Sequence, residues 1–397
     1  MTATTATSTT RATPVGGAVA AMALCVALLI SAEFMPVSLL TPIAQDLHAT
    51  PGQAGQAISI SGLFAVLASL VIAPLAGRFD RRRVLLAMTG LMLASVLLIV
   101  FAPSFPLLMV ARALLGLAIG GFWSLSTATV LRLVPSEEVP KALGTLFLGN
   151  AVATAFAAPI GAYVGGHLGW RPVFGGLVPL VLITLFWQAR ALPAMPPQAA
   201  IPMSRLFSLL RRRYVSRGML AVMLTFGGAF TAFTYFRPFL EGALGVDANQ
   251  LSLLLLGLGL AGFIGTHFAG NFLQRGYLYP LLLILPLALA ATTFALTAGA
   301  GLFWAVAATL VVWGTLNAAI PVCWSTWLAR ELVDEPEAGG GLMVASIQLA
   351  IMAGGGLGGH LLDAFGPSAP LWGGAVLLML STLLIRRGRH LRRPSHR

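Results

Sequence analysis

Charge is scarce in this chain. Charged residues make up 9% of its 397 positions and hydrophobic residues 58%, whereas soluble proteins average about 25% and about 45–50%. Too few charges are present to wet the surface of a soluble fold of this length, so the composition is that of an integral membrane protein. Cysteine is nearly absent. Cys25 and Cys323 sit in separate apolar stretches, which excludes a disulfide framework and a thiolate metal site. His267 and His360 each stand alone, with no second ligand at metal spacing. Lys141 is the single lysine, and no Gly-x-x-x-x-Gly-Lys, His-Glu-x-x-His or Gly-x-Ser-x-Gly pattern occurs. A P-loop and the commoner hydrolase chemistries are therefore excluded. No cofactor is expected, and the energy source expected is a proton gradient.

The net charge of +12 does not point to nucleic acid, because the arginines lie in short loops beside apolar runs. About 20 apolar residues cross the hydrocarbon as a helix, and on that rule twelve spans are expected. They run 17–41, 53–77, 84–102, 106–130, 141–166, 171–190, 216–239, 249–273, 278–297, 301–325, 340–362 and 368–385. Of the 24 basic residues, only Arg112, Arg171 and Arg237 fall outside the N-terminal tail, every second gap and the C-terminal tail. This is the positive-inside pattern of a chain with both ends in the cytosol, its arginines facing anionic lipid. The run from Gly17 to Leu40 is too long for a signal-peptide core and reads as a retained first helix.

The longest basic gap carries Leu192-Pro193-Ala194-Met195-Pro196-Pro197, an extended, semi-rigid linker composition. The expected organisation is a mobile tail (1–16), a six-helix bundle (17–190), a cytoplasmic linker (191–215), a second six-helix bundle (216–385) and a basic tail (386–397). Two such bundles joined by a linker suit an alternating-access carrier. Glycine is frequent inside spans, as at Gly116, Gly120 and Gly354 to Gly359, and small residues allow close helix packing in lipid.

Two charges stand out because they lie within spans: Glu33, in Ser31-Ala32-Glu33-Phe34-Met35-Pro36, and Arg112, in Ala111-Arg112-Ala113-Leu114. Counting 1.5 Å per residue, they lie ~12 Å and ~9 Å below the outer ends of their spans. A carboxyl at that depth is neutral, paired or facing water. Glu33 is thus a candidate proton carrier, with a structural ion pair or a snorkelling group as the alternative, and Arg112 is its candidate partner. Asn150, Asn317 and Gln348 serve either as helix–helix hydrogen bonds or as cavity-lining groups. Phe122, Trp123, Tyr235 and Trp313 either stack on a flat ligand or pack, and Trp324 and Trp327 read as interfacial anchors.

Nearly the whole chain resembles the major facilitator superfamily. Arg112, Gly116 and Gly120 are similar to its fourth-helix motif, in which the arginine is linked to proton coupling. Ala157-Ala158-Pro159-Ile160-Gly161 through Gly169-Trp170-Arg171-Pro172-Val173-Phe174 resembles the fifth-helix motif of drug and metabolite antiporters, with alanines where glycine is usual. That resemblance implies gating roles for Pro159 and Gly161. Leu75-Ala76-Gly77-Arg78-Phe79-Asp80-Arg81-Arg82-Arg83 resembles the loop between the second and third helices. Gly77 stands where the family has an acid, so the resemblance moves the gating charge to Asp80, beside Arg81 and Arg82.

A narrower likeness is to the branch of bacterial purine ribonucleoside efflux pumps. It rests on Glu33-Phe34-Met35-Pro36 through Asp46-Leu47, on Gly120-Gly121-Phe122-Trp123, on Arg132-Leu133-Val134-Pro135 and on Val139-Pro140-Lys141-Ala142-Leu143. Phe233-Thr234-Tyr235-Phe236-Arg237-Pro238 and Trp324-Ser325-Thr326-Trp327 extend it. The resemblance implies an all-α, twelve-helix exporter of purine ribonucleosides by proton antiport, monomeric, in the bacterial inner membrane. It has Glu33 and Arg112 as coupling residues, and Phe122, Trp123, Asn150, Tyr235, Asn317 and Gln348 as substrate contacts. Sugars or amphipathic drugs are the alternative cargo. A membrane enzyme or passive channel finds no converging nucleophile, base or filter.

Overall fold

The structure is a computed structural model that describes residues 14–75, 78–135, 137–197, 203–386, 388 and 391–393. The expected N-terminal tail as far as residue 13, Gly77 and most of the basic C-terminal tail lie outside the described residues. Fifteen helices and no strand occur among them. The first seven are α1 (Pro14–Asp46), α2 (Pro51–Leu75), α3 (Arg81–Val100), α4 (Phe105–Leu133), α5 (Val139–Leu168), α6 (Trp170–Gly175) and α7 (Leu177–Ala191). A short α8 (Met203–Leu210) precedes α9 (Arg213–Phe233), α10 (Phe236–Leu244), α11 (Ala248–Gln274), α12 (Leu278–Ala298), α13 (Phe303–Glu331), α14 (Pro336–Phe365) and α15 (Ala369–Ile385).

Among the described residues, eleven helices are long and apolar enough to cross a membrane, with α6 and α7 forming one crossing, and the shorter Ala369–Ile385 supplies a twelfth. The protein is therefore a multi-pass membrane protein with the expected all-α architecture. Its helices overrun the apolar windows: α1 continues to Asp46, because the helix persists past the hydrocarbon boundary. The seventh crossing, expected as one helix over 216–239, is interrupted at Thr234–Tyr235. Pro238 lacks the N–H that would reach the Thr234 carbonyl, and its ring crowds that carbonyl.

Two large hydrophobic cores occur among the described residues, one mainly in each half, although Tyr235 and Leu362 join the first and Ala158 and Ala162 the second. The first gathers residues of α1 to α7, among them Met22, Leu29, Phe122 and Phe174. The second gathers residues of α9 to α15, among them Phe236, Trp313, Trp324 and Trp327. Trp324 and Trp327 are therefore interior residues and not the interfacial anchors expected, and the Trp327 Nε1 donates to the Leu391 carbonyl at 2.9 Å.

The halves repeat each other's devices. Gly116 and Gly120 of α4 leave no room for a Cβ against the Ser61 and Ala65 carbonyls of α2. Gly314 of α13 does the same against the Leu258 carbonyl of α11, and Gly265 of α11 against Thr315 of α13. The second crossing of each half opens on a capping box. In α2, Gln53 N donates to Thr50 Oγ1 at 3.0 Å and Thr50 N to Gln53 Oε1 at 2.9 Å. In α11, Asp247 and Gln250 make the same exchange. The fifth crossing of each half ends on a glycine at positive φ, Gly169 at 85° and Gly366 at 87°, a conformation that favours glycine.

Candidate functional site

Prolines of α1 prepare the site. Pro36 has no N–H for the Ala32 carbonyl four residues back, and Pro42 has none for Ser38. A freed carbonyl inside a membrane protein needs another donor. Arg112 Nη1 donates to Ala32 O at 2.6 Å, and Arg237 Nη1 donates to Ser38 O. Both carbonyls freed by α1 prolines therefore receive an arginine.

Arg112 is fully buried and Glu33 is 2% exposed. The guanidinium also donates from Nε to Ala57 O of α2 at 2.8 Å and from Nη2 to the backbone carbonyl of Glu33 at 3.0 Å. Ser61 Oγ donates to the Arg112 carbonyl at 3.0 Å. The two intramembrane charges thus meet, but the expected carboxylate–guanidinium pairing is replaced by a seat of three backbone carbonyls. No ion pair between the two side chains occurs among the described residues. Gln348 of α14, in the other half, is also almost fully buried. Glu33 Oε1 and Gln348 Oε1 are both buried without a donor. Beside them, Phe34 stacks on Phe230 of α9 with centroids 5.5 Å apart, and Val37, Ile58 and Ile351 close a small apolar cluster between the halves.

At the end of the bundle away from the Arg-rich loops, hydrogen bonds join the halves. Asp363 of α14 accepts from Thr50 Oγ1 at 2.6 Å and from Gly52 N at 3.0 Å. Thr41 Oγ1 donates to Glu241 Oε2 at 2.6 Å, and Glu241 also pairs with Arg237 at 2.7 Å. Ser252 Oγ of α11 donates to Pro159 O at 2.9 Å. Thr41, Thr50, Arg237, Glu241, Ser252 and Asp363 were not singled out as site residues. The signal for Arg237 was present: a proline four residues after Ser38 leaves a carbonyl in need of a donor.

The other expected residues take several positions. Phe122 is sealed in the first core. Tyr235 is fully buried, its hydroxyl donating to Gly355 O at 2.6 Å, and Trp313 donates to Thr293 Oγ1 at 3.0 Å. All three pack in this conformation, where ligand stacking was the other reading. Trp123 is half-buried and stacks on Phe147; Asn150 and Asn317 are half-buried. Gly161 leaves no room for a Cβ against Ser38, so α5 presses on α1 beside Pro159. Asp80 Oδ1 accepts from Arg82 N at 2.8 Å, capping α3, and Oδ2 accepts from Met195 N at 3.2 Å. Arg81 N donates to Met195 O at 3.0 Å, and Arg82 Nη2 donates to Ala189 O at 2.5 Å. This loop therefore ties the start of the linker to the first half.

At the basic end Arg212 pairs with Asp334 at 2.7 Å, and Arg393 of the tail reaches the same carboxylate at 3.4 Å. The hydrogen bond from Arg212 holds the Asp334 carboxyl below the usual carboxylate range. No group of three metal-ligating side chains occurs among the described residues.

A family model described as Major Facilitator Superfamily matches residues 22–340. The chain is 46% identical over 370 residues to a Pseudomonas aeruginosa protein named "Transcription regulatory protein OpdE", covering 92% of each. It is 41% identical over 379 residues to a Salmonella typhimurium protein named "Purine ribonucleoside efflux pump NepI", covering 94% of each. Among solved structures it is similar to a D-xylose-proton symporter, with a TM-score of 0.73 at 16% identity, covering 93% of this chain and 97% of that one. At that identity the likeness is one of fold.

Proposed function

Since the chain belongs to the major facilitator superfamily and is a transporter, not an enzyme, we propose that it exports purine ribonucleosides in exchange for protons. The cargo class rests on the 41% identity to a protein so named. The coupling rests on one observation, the Glu33 carboxyl sealed between the two halves beside a buried guanidinium. An ionisable group at that depth is a functional site by default.

The charge bias supports an orientation with both termini in the cytosol of the bacterial inner membrane, as a monomer of two six-helix bundles joined through 191–215. In that orientation the hydrogen-bonded end is the outer one, and the conformation described is closed to the outside. The cycle then has two arms. A proton from outside on Glu33 favours the outer-closed state; substrate binding and proton release to the cytosol favour outer opening. Opposite bias of one two-state equilibrium by the two ligands is what coupling requires. Trp123, Asn150 and Asn317, each half-buried, are the candidates for stacking on and hydrogen-bonding to the base.

The test is accumulation of labelled inosine in everted vesicles under an imposed pH gradient. Glu33→Gln should abolish uphill accumulation while leaving downhill exchange. Uphill accumulation at the parent rate would remove Glu33 as the carrier. Dyes and pentoses measured alongside separate this cargo from drugs and sugars.

A further inference from the structure

Prolines inside the helices of the first half free carbonyls that the helix itself cannot serve, and three of these meet different fates. Ala32 O, freed by Pro36, receives Arg112 of the same half. Ala155 O, freed by Pro159, lies against the main chain of the second half, where a Cβ at Gly259 of α11 would come 2.4 Å from it. Ser38 O, freed by Pro42, is the one of the three that receives a charged donor from the opposite half, the Arg237 guanidinium.

That contact is built from both sides. Ser38 is fully buried and Arg237 is 8% exposed. Arg237 Nε donates to Glu241 Oε1 at 2.7 Å, and Glu241 Oε2 accepts from Thr41 Oγ1 at 2.6 Å. The Arg237–Glu241 pair of α10 thus grips α1 at two points three residues apart. The start of α10 is fastened to its own half, since the Tyr235 hydroxyl donates to Gly355 O of α14 at 2.6 Å. When the halves part, α10 leaves with the second one and Ser38 O loses its donor.

We propose that Pro42 and Arg237 are positioning residues of the transport cycle, Pro42 keeping the Ser38 carbonyl vacant as a socket and Arg237 entering it from the other half to set the outer-closed register. A buried carbonyl without a donor is destabilising, and in the outer-open state only water can replace the arginine there. Arg237 keeps Glu241 four residues along its own helix, so its charge is not stranded on opening. A guanidinium is always protonated, so this contact closes the outer end whatever the state of Glu33. The inference rests on the outer-closed assignment given above, and on neither the cargo nor the proton carrier.

The experiment reads opening as the labelling rate of a cysteine hidden in the seam. Leu362 of α14 is 7% exposed and packs in the core of the first half. Leu362→Cys, with Cys25 and Cys323 replaced, is treated with a membrane-impermeant maleimide from outside intact cells, where the rate follows the open population. Arg237→Met should raise the rate about tenfold, the equivalent of one charge-assisted hydrogen bond. Pro42→Ala returns an N–H to Ser38 O within α1 and should raise it about threefold, with no fall in melting temperature, since alanine favours the helix. The two changes remove one interaction, so the double variant should label within about twofold of Arg237→Met alone. A Pro42→Ala protein labelled at the parent rate, or a double variant whose gain is the product of the two, overturns the socket and leaves the outer-closed assignment standing. Labelling confined to the cytosolic side, in inside-out vesicles, overturns both. If Pro42→Ala does not fold, Pro42→Gly supplies the same N–H and carries the same expectation.

Discussion

Removing the Asp363 carboxylate should open the sealed end. In this structure that group accepts two hydrogen bonds from the opposite half, from Thr50 Oγ1 at 2.6 Å and from Gly52 N at 3.0 Å. A bond to a charged acceptor nets about 1.5–3 kcal/mol when shielded, and exposed contacts to charges are worth about 1 kcal/mol or less. The Thr50 bond is exposed and the Gly52 bond partly buried, so their joint worth is about 2 kcal/mol, partly recovered by water in the open state. Asp363→Ala should therefore raise the open-to-closed ratio by about 5–30-fold. The helix start is not at risk, because Thr50 and Gln53 still cap α2. Spin labels at Leu168→Cys and Leu302→Cys, both exposed, with Cys25 and Cys323 replaced, read the shift by pulsed electron paramagnetic resonance, and thermal unfolding checks that the fold is intact. A distance distribution unchanged in a stably folded Asp363→Ala protein would refute the reasoning, since the other cross-half bonds would then suffice alone.

Arg112→Lys keeps the charge but gives one ammonium three carbonyls to satisfy, at positions a planar guanidinium spans. Losing donors to two of them should cost about 2–4 kcal/mol, seen as a lower melting temperature and loss of inosine uptake; parental values for both would show the carbonyl seat to be dispensable. Asp334→Asn should loosen the C-terminal tail at neutral pH, measured as faster proteolysis of residues 391–393 in inside-out membranes. Because the folded carboxyl is held below its ordinary value, its stabilisation is present above about pH 3.9 and fades as pH falls through the lower folded value. The difference between Asp334→Asn and parent should vanish in acid; a difference that persists there would contradict this assignment.

The crossings were legible because lipid imposes a length and a composition on each one, and the two rules agree along this chain. The boundaries were not, since a helix such as α1 runs on to Asp46 after its apolar stretch ends. That Glu33 and Arg112 approach each other was suggested by their similar depth, which does not fix lateral proximity. The manner of their meeting was not legible, because backbone acceptors are invisible to charge counting. Pro36 and Pro42 were the readable clue, each releasing a carbonyl four residues earlier. Aromatic residues were the hardest: nothing in the letters separates Phe122, sealed in a core, from half-buried Trp123 beside it. Asp363 and Glu241 sit at span ends, where acids pass for loop residues, and their partners are 313 and 200 positions away. No sequence repeat joins the halves; the matching capping boxes at Thr50-Pro51-Gly52-Gln53 and Asp247-Ala248-Asn249-Gln250 are visible only in the structure.

Because Arg112 is held by main-chain oxygens, its positive charge does not depend on any side chain's ionisation. On the proposed cycle, neutralising Glu33 with a proton leaves that charge uncancelled in the buried interior, where low polarity extends its reach. A cationic molecule approaching then meets repulsion, while a neutral one is indifferent to it. On the proposed proton-coupled cycle, the geometry that anchors α4 to α1 and α2 would therefore disfavour a cationic cargo and leave an uncharged one unaffected.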